Sequence, residues 1–157
     1  MIEQQFLSQI KEHQNIIYKL VHIYATTEED KKDLYQEIVL QAWKSYSAFR
    51  GEAKFSTWLY RLCLNTILTI RRKINRIEYT DTAKFESDYV TTSASDELDR
   101  LYKAIRTLPE TERAIISLNL DGYDNKEVGE LLGITANLVG VKLYRIKQQL
   151  ATLLKNI

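Results

Sequence analysis

Apolar residues recur along this chain at spacings of three and four, and the clearest run lies near its end. Val139, Leu143, Ile146 and Leu150 fall on one side of a helix at about 100° per residue, predicting a long helix capped by Thr135 and running to about Leu154. Just before it, Asp124 and Glu127 have the spacing of a capping box, which predicts a short helix through Leu132, and Gly133 then supplies a turn with positive φ. Further upstream, Leu98, Leu101, Tyr102 and Ile105 form an i, i+3, i+4, i+7 stripe, with Ser95 as cap and Asp96 and Glu97 in the first turn. Pro109 suits the first turn of the helix that follows, which carries Ile115, Ile116, Leu118 and Leu120 and is ended by Gly122. Two more stripes precede these. Thr26 or Thr27 caps a helix whose buried arc is Leu34, Tyr35, Ile38, Val39, Ala42, Trp43 and Tyr46. The other starts near Ser56 and buries Leu59, Tyr60, Cys63, Ile67, Ile70 and Ile74.

Between these groups of helices, residues 78–95 carry few aliphatics and many Thr, Ser and Asp, with no sustained period. Such a tract buries too little apolar area to offset its ordering entropy, so it reads as a flexible linker. The expected architecture is therefore all-α: two small helical domains, 1–77 and 96–157, joined by that acidic linker. One Pro and five Gly among 157 residues are too few for an all-β chain built on repeated tight turns.

Charge changes the picture more than composition does. The formal net charge of +1 hides 12 basic against 8 acidic residues over 1–77, 1 against 7 over 78–99, and 9 against 6 over 100–157. Two basic blocks flanking an acidic strip are two candidate electrostatic footprints for nucleic acid. Cys63 is the only cysteine, so no internal disulfide forms, and its apolar neighbours mark a core thiol. His13 and His22 are isolated, so neither a metal site nor a cofactor is expected. No apolar stretch approaches the roughly 20 residues of a membrane span, and the first ten residues lack the pattern of a secretory signal; the expected location is cytoplasmic. No Gly-rich phosphate loop and no nucleophile with a paired base is evident, so an enzyme is not expected.

The last two predicted helices have the parts of a helix-turn-helix. Gly129 is the small residue where the helices cross, Gly133 the turn residue, and Val139 the buried apolar anchor. Opposite the buried stripe, the last helix presents Asn137, Val141, Tyr144 and Gln148, with Arg145 adjacent. Asn, Gln and Arg hydrogen-bond base edges and Val meets a thymine methyl, while Lys142 on a flank suits phosphate. A helical hairpin with a solvated polar face is the bland alternative, but it leaves Val141 and Tyr144 exposed to no purpose. In the first domain, Arg61, Asn65, Arg72 and Arg76 lie on one ridge within about 60° of each other, beside Trp58, and no acidic residue occurs between Ala53 and Ile77. That ridge suits a phosphate backbone and an unstacked base, or else is a solvated basic face. The preceding loop, with Phe49, Arg50 and Gly51, is a candidate wrap for a base. On the helix before it, Leu40 sits amid Asp33, Gln36 and Glu37, a small apolar anchor with a polar rim that fits a protein contact.

Taken together, DLYQEIVLQAW at 33–43, FSTWLYRLCLNTILTIRRK at 55–73 and the run LPETERAIISLNLDGYDNKEVGELLGITANLVGVKLYRIKQQL at 108–150 resemble the extracytoplasmic-function sigma factors of the sigma-70 family. The resemblance implies a transcription initiation factor that binds core RNA polymerase, recognises minus-35 and minus-ten promoter elements and assists promoter melting. It implies that Asp33, Gln36, Glu37 and Leu40, on a D-x-x-Q-E-x-x-L stretch, contact the clamp helices of the largest polymerase subunit. Arg61, Asn65, Arg72 and Lys73 match the helix that engages the minus-ten element, as duplex and as melted single strand. Asn137, Val141, Lys142, Tyr144, Arg145 and Gln148 fall in the minus-35 reader. An anti-sigma factor is implied as a candidate further partner. The sequence departs from the family pattern at Leu64, Thr69 and Gly140; Gly140 costs about 1 kcal/mol of helix propensity relative to Ala, which points to a close approach to DNA or to simple tolerance. On the residues alone, a repressor or activator working without polymerase and a helical adaptor that never touches DNA remain open. The first of these leaves the Asp33–Leu40 patch and the basic ridge without a joint purpose.

Overall fold

A computed structural model describes residues 2–77 and 96–155. Every regular element among them is helical, and they divide into two compact units, one holding the first four helices and the other the last four. The segment 78–95 and the Ser95 cap expected there lie outside the described residues, as do the side chains of residues 74–77.

The first unit opens with two helices that the hydrophobic pattern had not assigned, α1 (Ile2–Glu12) and α2 (Gln14–Tyr24). They are separated at His13, whose Nδ1 lies 3.0 Å from the Gln9 carbonyl and whose ring sits 5.1 Å from that of Phe55. The centre of the unit is α2: Ile17, Leu20, Val21, Ile23 and Tyr24 are all buried and fall within about 160° of one another, one broad apolar face. Against it pack α3 (Glu28–Tyr46) and α4 (Phe55–Ile77).

Thr27 caps α3: its Oγ1 accepts the Asp30 N–H at 3.1 Å, and Glu28, Glu29 and Asp30 complement the positive end of the helix. The buried arc of α3 is narrower than its apolar pattern suggested. Ile38 and Ala42 are fully buried and Leu34, Tyr35, Val39 and Tyr46 partly so, but Trp43 keeps 43% of its surface exposed. Its ring lies 5.1 Å from that of Phe6 on α1. On α4 the core is Phe55, Leu59, Tyr60, Cys63, Leu64 and Ile67, while Ile70 is half-buried. Burial pushes the Cys63 thiol far above its ordinary pKa, so it is an inert core group, as expected. Arg71 donates to the Tyr24 carbonyl at 3.0 Å and lies over the Tyr24 ring, tying α4 to the free end of α2.

The second unit comprises α5 (Asp96–Arg106), α6 (Glu110–Leu120), α7 (Asn125–Leu132) and α8 (Ala136–Lys155). Pro109 occupies the cap position of α6, not its first turn: at ψ 156° it is still extended, and the helix starts one residue later. Arg113 closes the α5–α6 turn by donating to the Leu108 and Arg106 carbonyls at 2.8 and 2.6 Å. Ile105, Ala114, Ile115, Ile116, Leu118, Val128, Val139, Leu143, Ile146 and Leu150 form the core. Leu98 and Leu120, expected on buried stripes, are 44% and 51% exposed, because each lies near an end of its helix, beyond the neighbours that cover the middle.

The capping box at the start of α7 is complete: Asp124 Oδ1 accepts the Glu127 N–H at 2.8 Å, and Glu127 Oε1 accepts the Asp124 N–H at 3.0 Å. Asp124→Ala removes one bond outright and orphans the partner. The expected loss is about 1 kcal/mol, read as a thermal shift of roughly 4–8 °C in the second unit. An unchanged melting temperature would show that the cap contributes nothing in this context.

Candidate functional site

Three exposed surfaces gather the residues singled out from the sequence. The first lies on α3. Asp33 and Gln36 are exposed, Leu40 is 45% exposed, and Glu37 is half-buried, its Oε1 accepting from Gln41 Nε2 at 3.0 Å. The structure adds what the pattern of α3 could not supply, a cleft of about 440 Å³ between α1 and α3. Leu40 and Gln36 line it together with Leu7, Phe6, Val39 and Trp43, whereas Asp33 and Glu37 are not among its walls. Leu7, 54% exposed, and Trp43 are the residues that sequence reasoning missed here. The only signal was the spacing of Trp43 three positions after Leu40, and it was read as core. Tyr35 at the cleft stacks on Tyr18 at 5.0 Å; burial first, then the neighbouring Tyr18, raise its pKa, so it presents a neutral hydroxyl.

The second surface is the outer ridge of α4. Arg61, Asn65, Arg72 and Lys73 are all exposed. By helical geometry Arg61, Asn65 and Arg72 fall within about 40° of each other, whereas Lys73 stands about 100° away from Arg72, round the helix. Of the departures from the family pattern, Leu64 is buried and therefore belongs to the core, while Thr69 is exposed beside the ridge. Trp58, half-buried, borders the ridge and belongs to an aromatic cluster: its ring lies 5.2 Å from Phe49, 5.3 Å from Phe55 and 6.3 Å from Tyr46. Phe49 is thus turned inward as the anchor of loop 47–54, which leaves Arg50 and Gly51, the latter at φ 76°, at the tip. Arg71 does not join the ridge, its guanidinium being committed to the Tyr24 carbonyl.

The third surface belongs to α7 and α8. The helix-turn-helix is built as its glycines require. A Cβ on Gly129 would lie 2.5 Å from the Ile134 carbonyl oxygen, so only glycine permits this crossing. Gly133 is left-handed at φ 75°, and Thr135 Oγ1 caps α8 by accepting the Leu138 N–H at 3.1 Å. With Val139, Leu143, Ile146 and Leu150 buried, α8 turns Asn137, Val141, Tyr144, Arg145 and Gln148 to the outside. Val141 and Tyr144 are 48% and 66% exposed, and the Tyr144 hydroxyl accepts from Gln148 Nε2 at 2.9 Å, linking two of the outward residues. Lys142 is half-buried on the flank. A cleft of about 410 Å³ opens on this face, lined by Asn137, Gly140, Val141, Tyr144 and Arg145 from α8 and by Asn125 from α7. Asn125 could not be found from the α8 pattern, because another helix supplies it.

Among the described residues, no group of three or more His, Cys, Asp or Glu is placed to hold a metal ion, and no helix is long and apolar enough to cross a membrane. The arrangement is one of binding surfaces: an amphipathic cleft, a cationic ridge with aromatic support, and a helix face of base-reading types.

Comparison with known proteins matches each unit separately. Residues 9–77 fit the model of Sigma-70 region 2, and residues 98–150 fit that of Sigma-70, region 4. Among curated relatives, the chain is 26% identical over 148 residues to the ECF RNA polymerase sigma factor SigM of Mycobacterium tuberculosis, covering 92% of this chain and 74% of the relative. It is 29% identical over 157 residues to the ECF RNA polymerase sigma-E factor of Haemophilus influenzae, covering 90% and 82%. Among solved structures, the fold is shared with the sigma factor RpoE of Bartonella quintana, crystallised with the anti-sigma factor NepR, at a TM-score of 0.82 and 20% identity over 97% of this chain and 98% of that one. It is shared too with CnrH, solved in complex with the cytosolic domain of CnrY, at a TM-score of 0.70 and 20% identity over 98% and 90%.

Proposed function

The chain belongs to the extracytoplasmic-function group of the sigma-70 family, a transcription initiation factor for RNA polymerase, and from that premise we propose which surface performs each task. The α1–α3 cleft, with Leu40 and Gln36 on its wall and Asp33 and Glu37 beside it, receives the clamp helices of core polymerase. The α4 ridge of Arg61, Asn65 and Arg72, with Lys73 on its flank, holds the minus-ten element and the strand that melts there. The α8 face of Asn137, Val141, Lys142, Tyr144, Arg145 and Gln148 reads the minus-35 element as duplex. The domains carrying these tasks are 1–77 and 96–157, with 78–95 as the connecting tether.

The observation that carries this division is the chemical difference among three exposed surfaces in one chain. An apolar slot rimmed by carboxylates repels DNA and suits a protein helix, whereas a ridge without acidic residues suits phosphate. Polymerase supplies the nucleotide chemistry, and this chain supplies address and strand separation. DNA stacking is worth about 1.4 kcal/mol per base-pair step, so a bubble forms only where new contacts to the exposed strand compensate. Holding both readers on one polymerase raises their effective concentration for one promoter, so neither needs to bind tightly alone. The chain works in the cytoplasm, where polymerase and DNA are, and an anti-sigma factor such as the one captured with the Bartonella quintana relative is a fitting regulator.

Core polymerase supplemented with the full chain is expected to yield transcripts with defined 5′ ends from a genomic fragment library, which core alone does not give. Identical output from both would overturn the reading. Leu40→Asp places a carboxylate on the apolar wall and is expected to weaken core binding about tenfold or more in a fluorescence titration. Unaltered affinity would remove the cleft from the interface.

A further inference from the structure

One group on the α8 face comes from outside α8. Asn125 stands in the first turn of α7, and its amide reaches the cleft edge next to Gly140. A Cβ built on Gly140 would lie 3.3 Å from Asn125 Nδ2, closer than an ordinary van der Waals contact, and any longer side chain there would fill the space through which the amide faces outward. Glycine in a helix interior is unfavourable by about 1 kcal/mol relative to alanine, and φ at Gly140 is helical, so no turn requires it. What its absence of a side chain achieves is an open cleft with an amide on its wall, beside Asn137, Val141 and Arg145.

We propose that Asn125 is a specificity-determining residue of the upstream promoter contact, admitted to the DNA by the missing side chain of Gly140. The inference rests on the α8 face being the minus-35 reader. The group it meets is a base edge offering a paired donor and acceptor in the major groove, the pattern an amide matches in two hydrogen bonds. A backbone phosphate fits poorly, because the start of α7 carries the carboxylates of Asp124 and Glu127 against the single ammonium of Lys126. Asn125 and Asn137 then read from two helices across one cleft, so the base step they address is set by the α7–α8 crossing and not by α8 alone.

The test uses core polymerase with the full-length chain and a duplex pool randomised over the upstream element, the bound DNA being sequenced. Asn125→Ala is expected to relax the preference at one base pair about tenfold and to leave the other positions within about twofold. Gly140→Val, which improves helix propensity while closing the cleft, is expected to relax the same base pair; melting temperatures confirm that both variants fold. If Asn125→Ala weakens all sequences alike, the residue is a phosphate contact and the inference is wrong. An unchanged preference also overturns it. A wild-type chain that enriches no upstream element would instead sink the reading of α8 as a promoter reader, and this inference with it.

Discussion

A valine at position 129 is expected to collapse the second unit and with it all recognition of the upstream promoter element. The Cβ alone would meet the Ile134 carbonyl oxygen at 2.5 Å, the Ala136 nitrogen at 3.3 Å and the Thr135 carbonyl carbon at 3.3 Å, and all three are backbone atoms. No side chain can rotate away, so the turn between α7 and α8 must open. That turn is held by the Gly133 and Ile134 N–H groups donating to the Gly129 carbonyl at 2.8 and 3.0 Å, so the bonds that shape it are lost together. Overpacking in a well-packed core costs about 1–3 kcal/mol, and here the obstruction is rigid, so about 3 kcal/mol or more is expected. A unit this small has little stability in reserve, and such a loss leaves it largely unfolded at 37 °C. Circular dichroism should show loss of part of the helix signal, with the first unit still melting cooperatively. Gly133→Ala is the informative contrast: nothing lies within 4 Å of its Cβ, so only the positive φ is penalised, by about 1 kcal/mol. If Gly129→Val melts no earlier than Gly133→Ala, close approach is not what requires glycine at the crossing.

Reversing charge at Arg61 and Arg72 together is expected to abolish promoter opening while leaving core binding intact. Both side chains are exposed on one ridge of α4, so the pair can be changed without disturbing the core. Each reversal removes one favourable phosphate contact and adds one repulsion, and a loss of open complex of about 100-fold or more follows at physiological salt. Permanganate reactivity of thymines in the minus-ten region reads melting directly, and a core-binding titration run alongside should not move. Wild-type thymine reactivity in the double variant would show that the ridge is merely a solvated face.

The parts of this fold that could be read from the chain are those fixed by neighbours in sequence. The Asp124–Glu127 capping box, the left-handed Gly133, the Thr135 cap and the division of α8 into buried and outward residues depend on a few adjacent positions, and all are found. What escaped depends on distant partners. Helix α2 is the exception: Ile17, Leu20, Val21 and Tyr24 stand at i, i+3, i+4 and i+7, a stripe legible from adjacent positions. Helix α1 buries only Phe6 and Ile10, a stripe of two residues. Without α1 in view, Trp43 reads as core, although it forms one wall of a cleft. Arg71 looks like one more cation on a basic helix, and only the end of α2 shows that it is a structural tie. The candidate promoter-contacting and polymerase-contacting residues rest on spacing and family resemblance; all are exposed except Glu37 and Lys142, which are half-buried. The Asn125 amide becomes visible only once two helices are crossed.

The chain has two tryptophans, and the placement of Trp43 and Trp58 gives it a built-in optical readout. Both indoles belong to the first unit, one lining the cleft beside Leu40 and the other next to the cationic ridge. Tryptophan emission, excited where tyrosine does not absorb, therefore reports on the first unit, while Tyr102, Tyr123 and Tyr144 are the fluorophores of the second. With Trp43→Phe or Trp58→Phe, the surroundings of the cleft and of the ridge become separate signals, followed in real time without attaching a dye.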